Sequence, residues 1–136
     1  MKIAISSVDN TIKSQVDQRF GRCKYFLIVE IEDKKIKRIK AVENQGAIQS
    51  HGAGIKAAQQ IGELGVEAVI TGNIGPNAAD VLDKLNIRVG KGNGIVKDAV
   101  QDFIHGKLQE LKGSSVSSHF GMRFNQIGQN KKEVLK

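Results

Sequence analysis

The first part of the chain alternates short apolar runs with polar turns, which is the pattern of β-strands. Residues 24–32 (KYFLIVEIE) form the most hydrophobic run and are β-branched and aromatic, so we expect a central strand there. Alternating apolar and basic residues over 36–42 predict a half-exposed strand, hairpinned to the previous one through Asp33 and Lys34. Residues 2–6 (KIAIS) predict a strand at the start of the chain.

Beyond residue 50 the apolar positions recur at helical spacing, and the strands between them are short. Gly65 stops the first predicted helix, and Pro76 opens the second, where a missing N–H is harmless. The predicted helices are 52–64, 76–85 and 95–105, and the predicted strands between them are 67–71 and 87–89. A stretch at 108–111 predicts a little further structure.

The predicted element order is β-β-β-α-β-α-β-α, an antiparallel meander followed by right-handed βα units. We therefore expect one α/β domain over residues 1–111. Its fold class is ribonuclease H-like, with a five-stranded mixed sheet in the order 3-2-1-4-5 and three helices. Residues 112–136 are rich in Ser, Gly, Asn and Lys and predict a basic, flexible C-terminal tail.

Charge and cysteine content narrow the classes of function. The net charge is +7, and residues 107–136 hold 6 Lys and Arg against 2 Asp and Glu. A solvated basic tail is the simpler interpretation, and a polyanion-binding tail is the sharper one. Cys23 is the only cysteine, which excludes an internal disulfide and suits a reducing, cytoplasmic location. The sequence predicts neither a signal peptide nor a membrane span.

Four segments are expected at the sheet edge where predicted strands 1, 3, 4 and 5 end. Ligands of open α/β sheets bind outside the carboxyl ends of the strands. The segments are 18–24, which leads into a strand, and the glycine-rich loops 49–54, 72–77 and 90–94, which each open a helix. Free N–H groups and the positive helix dipole suit such loops to an anion or anionic cluster. Tight packing is the plainer role of any single loop, and none has P-loop or dinucleotide spacing.

The residues expected to bind the cluster or anion come from all four segments. They are Phe20, Gly21, Arg22, Cys23, Ser50, His51, Gly52, Gly54, Gly72, Asn73, Gly75, Asn77, Gly92 and Gly94. Cys23 is a candidate metal ligand, because Arg22 and Lys24 flank the thiol and cations favour the metal-binding thiolate. His51 is the second candidate, as the other soft ligand at this edge. A buried structural cysteine and a loop histidine bonded to the backbone are the plainer alternatives.

Three motifs in combination resemble a known family, the dinitrogenase iron–molybdenum cofactor biosynthesis family. The motifs are 19–26 (RFGRCKYF), 50–54 (SHGAG) and 72–78 (GNIGPNA). The resemblance spans most of residues 1–110 and implies a ribonuclease H-like fold. It also implies carriage of an iron–sulfur or iron–molybdenum-type cluster or its precursor, without catalysis, with metallocluster assembly or acceptor proteins as partners. The family's Phe-Gly step falls on Phe20 and Gly21, and Arg19 stands where many members have His.

The number of thiolates favours a carrier over a permanent holder. A stable iron–sulfur cluster usually has four thiolate ligands, and one chain offers only Cys23. A cluster held by one thiolate, by His51 and by backbone N–H groups, or shared across a homodimer, is bound transiently and easily handed on.

Two other classes of function stay open. The first is nucleic-acid binding through the tail; a nuclease is disfavoured because strand 2–6 has no carboxylate for a two-metal site. The second is a regulatory module that binds a protein partner through the basic strand 36–40, whose lysines otherwise protect a sheet edge from aggregation. An enzyme is least favoured, because no nucleophile–base–acid set or zinc signature is present.

Overall fold

The computed structural model describes residues 1–111 and the backbone of one further two-residue strand. The strands are β1 (Lys2–Ser7), β2 (Tyr25–Glu32), β3 (Lys35–Glu43), β4 (Ala68–Thr71), β5 (Arg88–Lys91), β6 (Leu108–Glu110) and β7 (His119–Phe120). The helices are α1 (Ala53–Glu63), α2 (Pro76–Lys84) and α3 (Val96–Ile104), with a 3-10 turn at Gln45–Ile48. Every predicted strand and helix is present. The predicted tail, 112–136, lies outside the described residues apart from the backbone of β7.

The sheet has the order β3-β2-β1-β4-β5-β6-β7. β2 runs antiparallel to both β1 and β3, whereas β4 pairs parallel to β1 and β5 parallel to β4. The order 3-2-1-4-5 is thus confirmed for the first five strands, together with the α/β class and the three helices. The ribonuclease H-like label itself stays a prediction.

The predicted limit of five strands is wrong. After α3 the chain turns back at Gly106, whose φ is +69°, and β6 pairs antiparallel with β5. Three residues are too few to show an alternating pattern in the sequence. Glu110 of β6 is charged and yet buried, because it forms an ion pair with Arg88 on β5. This pairing, which the sequence does not show, holds the sixth strand in place.

The sheet separates two apolar layers. Ile3 and Ile5 of β1 face one layer, which α3 covers, and Ala4 between them faces the other, which α1 and α2 cover. This alternation is the two-residue period of a strand. None of the helices in the described residues is long and apolar enough to cross a membrane. Since α1 and α2 lie side by side on one face, their N-termini emerge together at the carboxyl edge of the sheet.

Candidate functional site at the carboxyl edge of the sheet

The segment 18–24 contacts the loops before α1 and α2. The N–H of Phe20 donates to the carbonyl of Asn73, with 3.2 Å between nitrogen and oxygen. A Cβ on Gly21 would lie 2.9 Å from the nitrogen of Gly54, so the two backbones touch. These contacts bring the Phe-Gly step, the first turn of α1 and the loop after β4 into one surface.

The N-termini of α1 and α2 are uncapped and adjacent. Gly52 and Gly75 are the N-caps, and no side chain of residues 1–111 caps either helix through a hydrogen bond. The first N–H groups of an α-helix have no acceptor within the helix. A Cβ on Gly54 would lie 3.1 Å from the Cβ of Ala78, so the two first turns pack directly together. Two positive helix ends therefore converge on one patch, which suits an anion.

Gly52 has the backbone conformation that glycine tolerates best. Its φ is +71°, in the left-handed region, and no atom lies within 4 Å of a Cβ built on it. Glycine enters this region without the steric cost that a Cβ brings. Glycine at this position therefore permits the sharp entry into α1.

The N-terminus of α3 is covered by another part of the chain, unlike those of α1 and α2. A loop that the sequence did not single out, 8–17, lies across it. The N–H groups of Val96 and Lys97 donate to the carbonyls of Ser14 and Ile12, at 2.8 and 3.0 Å. The two α3 donors are therefore already satisfied.

The glycines before α3 have structural roles in this closed region. Gly92 is buried and donates its N–H to the carbonyl of Thr71 at 3.0 Å. The carbonyl of Gly94 accepts the N–H of Val16 at 2.8 Å. Gly72, which lies in the loop before α2, is also buried. A Cβ there would lie 2.7 Å from the Cα of Gln18. These glycines allow close backbone packing.

Two arginines and a histidine border the open patch. Arg22 is exposed and donates through Nη1 to the carbonyls of Ala47 and Gln49, at 3.1 and 2.6 Å, which ties down the loop before α1. The Arg19 side chain is 69% exposed, and its Nε lies 3.4 Å from a carboxylate oxygen of Asp17. His51 is exposed. The surface is thus cationic at its rim as well as at the helix ends.

The remaining predicted site residues lie on the exposed parts of the two loops. Ser50, Asn73, Gly75 and Asn77 are all exposed. The side-chain oxygen of Asn73 accepts the N–H of Ile74 at 3.0 Å, which fixes a tight turn before α2. These residues surround the open helix N-termini.

Cys23 is buried beneath this surface, with 0% of its area exposed. Its thiol donates to the carbonyl of Phe20 at 3.4 Å and lies 3.7 Å from the Nδ2 of Asn44. Burial, and secondarily the negative charge of Asp17, raise the pKa of the thiol from 9.0 to about 12. The thiol is therefore protonated at neutral pH.

The two cations that flank Cys23 in the sequence do not approach its thiol. Arg22 is turned toward backbone carbonyls, and the Nζ of Lys24 lies over the ring of Tyr25, 5.6 Å from its centroid. Both cations point into solvent or along the surface, while the thiol points inward. Of the two predicted metal ligands, Cys23 is buried and His51 is exposed. Within residues 1–111, no cluster of three or more His, Cys, Asp or Glu side chains could hold a metal ion.

Asn44 is a residue that the sequence reasoning missed. It is buried, and its Nδ2 donates to the carbonyls of Gly21 and Cys23, at 3.1 and 2.9 Å. Its Oδ1 accepts the N–H of Gly46 at 2.8 Å. One side chain thus joins the Phe-Gly turn to the loop that enters α1. The available signal was an Asn at the end of a strand, two residues before a glycine, which is typical of an Asx turn.

Comparison with known proteins gives a consistent result. Residues 1–106 match the family described as dinitrogenase iron-molybdenum cofactor. The uncharacterised protein MJ0580 of Methanocaldococcus jannaschii is 39% identical over 113 residues, which are 82% of this chain and 92% of that protein.

Solved structures agree with this assignment. The apo form of the orange protein from Desulfovibrio gigas has a TM-score of 0.74 at 32% identity, covering 86% of this chain and 95% of that one. A Thermotoga protein named for NifB has a TM-score of 0.69 at 35% identity, covering 81% and 92%. The chain belongs to the dinitrogenase iron–molybdenum cofactor family.

Proposed function

We propose that the chain is a non-catalytic carrier of an anionic metal–sulfur cluster, of iron–sulfur or iron–molybdenum type, that acts in metallocluster assembly. The observation that carries the proposal is the contact between the open N-termini of α1 and α2 at the Gly21 turn. Membership of the dinitrogenase iron–molybdenum cofactor family supports the class of cargo.

The donor set indicates how such cargo is held. The patch offers backbone N–H groups and exposed cations, whereas the nearest thiol, Cys23, is buried and protonated. N–H groups donate well to the sulfides of an anionic cluster, and helix N-termini stabilise its charge. The cargo therefore arrives already assembled, and of the described rim residues Arg19, Arg22 and His51, it is His51 whose side chain could add a bond to metal. Binding through N–H groups is reversible, which suits delivery to an acceptor protein.

The decisive experiment separates backbone donors from thiolate ligation. The full chain is titrated anaerobically with tetrathiomolybdate, a coloured dianion whose metal is surrounded by sulfide, and separately loaded with iron and sulfide. The variants are Cys23→Ser and Gly75→Asp, with Gly75→Ala as the control. Visible absorption and bound-metal assays give the affinity and stoichiometry.

We expect binding in the wild type, in Cys23→Ser and in Gly75→Ala. In Gly75→Asp the new carboxylate occupies the α2 donors and repels the anion, so affinity falls about tenfold or more. Loss of colour in Cys23→Ser with no effect of Gly75→Asp would reassign the site to the thiol. Absence of binding by either probe in the wild type would reject the carrier function.

A further inference from the structure

β3 is an edge strand whose outer side is free in the described part of the chain. It is the end strand of the sheet and spans nine residues, Lys35–Glu43. Most of its side chains are exposed, and Ile39 is 41% exposed. Unpaired N–H and C=O groups along such an edge can pair with another strand.

The half of β3 nearer the candidate site has regular geometry. The register with β2 shifts between Glu30 and Ile31, but from Arg38 to Glu43 each residue pairs one-for-one with β2. Successive side chains of a strand point to opposite faces. Arg38 and Lys40 therefore lie on one face, opposite Glu30 and Ile28 of β2.

The other face of this regular segment carries the aliphatic residues Ile39 and Ala41, with Glu43 at its end. Ile39 and Ala41 pair with Val29 and Leu27, which belong to the core layer under α3. Ile36 also packs against that layer. The edge thus presents two cations on one face and an aliphatic row on the other.

Charge decides which strand can occupy this edge. A second copy of β3, aligned antiparallel, would bring Arg38 and Lys40 against the same cations, and like charges directly opposite are destabilising. Arg38 lies 3.8 Å from Glu30 in an exposed pair, whereas no ion pair in the described residues involves Lys40. The edge therefore disfavours self-association and favours an acidic partner.

We propose that the segment Arg38–Glu43 binds an extended segment of a protein partner in which acidic and apolar residues alternate. The acidic side chains pair with Arg38 and Lys40, and the apolar ones cover Ile39 and Ala41. Backbone hydrogen bonds extend the sheet by one strand. This partner surface is additional to cargo binding and does not depend on it.

The surface continues toward the carrier site. β3 ends at Glu43, on the same edge of the sheet as the ends of β1 and β4. The 3-10 turn that follows carries Ile48, which is 88% exposed. Ile48 lies in the loop that Arg22 ties down, between the end of β3 and the start of α1. A docked partner would stand beside the open helix N-termini.

The test uses the full, cargo-free chain and a short synthetic peptide of alternating Glu and Val. We expect the amide signals of Arg38–Glu43 to shift in nuclear magnetic resonance spectra and their hydrogen exchange to slow. The double variant Arg38→Glu, Lys40→Glu should weaken the peptide's affinity about tenfold. A Lys-Val peptide should regain binding to that variant, which shows that it is folded.

The matched control changes the same charge outside the regular segment. Lys34→Glu, Lys35→Glu should leave the affinity within about twofold of the wild type, because Lys34 lies in the hairpin turn and Lys35 at the start of β3, beyond the register shift. Equal weakening in both double variants would overturn the proposal in favour of general charge attraction. Shifts confined to residues 112–136, or absence of binding, would also overturn it and leave the lysines as guards of the edge. Because no cargo is present, none of these results depends on the carrier function.

Discussion

The N-termini of α1 and α2 differ from that of α3 in what satisfies their N–H groups, although similar glycine-rich loops precede all three. At α3 the 8–17 loop supplies the carbonyls of Ile12 and Ser14. At α1 and α2 no side chain in the described part of the chain caps the first turn, and the two turns pack together. The difference shows that glycine in a loop does not by itself mark a ligand site, because the same residue serves close packing at α3.

The largest expected effect tests what holds the open region together. Asn44→Ala removes hydrogen bonds to the carbonyls of Gly21 and Cys23 and from the N–H of Gly46, and leaves two buried groups and one partly buried group without this partner. The free energy of unfolding should fall by about 3 kcal/mol. Urea denaturation measures this free energy. An unchanged value would contradict the prediction that Asn44 stabilises the region around the open helix N-termini.

Gln60→Ala is the matched control for this prediction. Gln60 also joins two backbone groups, at Glu43 and Gln45, but both hydrogen bonds are exposed to water. Its removal should cost less than about 1 kcal/mol, since water replaces the lost partners. Equal losses in the two variants would show that Asn44 has no special role beneath the site.

An intermediate effect concerns the Cys23 thiol beneath the open region. Burial raises its pKa in the folded protein from 9.0 to about 12, so the unfolded chain loses this proton first as pH rises. The contribution of Cys23 is therefore complete below pH 9 and is lost between pH 9 and 12, at up to about 1.4 kcal/mol per pH unit.

The measurement compares wild type with Cys23→Ala in urea at pH 8 and pH 10, which cancels the titration of other groups. The stability advantage of the wild type should shrink at pH 10 by roughly 1 kcal/mol. An advantage that grew with pH would mean that the folded protein favours the thiolate. That result would support the prediction of Cys23 as a metal ligand.

The smallest effect compares the two kinds of helix N-terminus directly. Gly75 has φ −77° and ψ 164°, and no atom lies within 4 Å of a Cβ there, so Asp fits without strain. Gly75→Asp should raise the free energy of unfolding by about 1 kcal/mol through capping and the helix dipole. Gly75→Ala separates this from the backbone effect of replacing glycine.

Ile95→Asp is the corresponding change at the closed end of α3. It should bring no gain, because the N–H groups of Val96 and Lys97 already have acceptors and Asp98 adds a negative charge nearby. Thermal unfolding of Gly75→Asp, Gly75→Ala and Ile95→Asp tests whether the added carboxylate stabilises the protein at Gly75 and not at Ile95. Equal stabilisation at Gly75 and Ile95 would mean that the α3 donors are also available.

The sequence by itself determined the element order, the first five strand positions and the edge at which the glycine loops meet. These follow from local signals, namely the two-residue alternation of β1, the apolar run of β2, and Pro76 and Gly65 at helix ends. Family membership was also readable, because its motifs are continuous stretches of chain.

Only the tertiary structure decided which of those loops are open. The closure of α3 depends on hydrogen bonds between residues 12–16 and 94–97, which are far apart in sequence and use backbone groups that every residue has. The protonation state of Cys23 also depends on contacts that are distant in sequence. Its sequence neighbours are cations, but a thiol's pKa depends on burial, and burial is decided by the residues that pack around it in three dimensions.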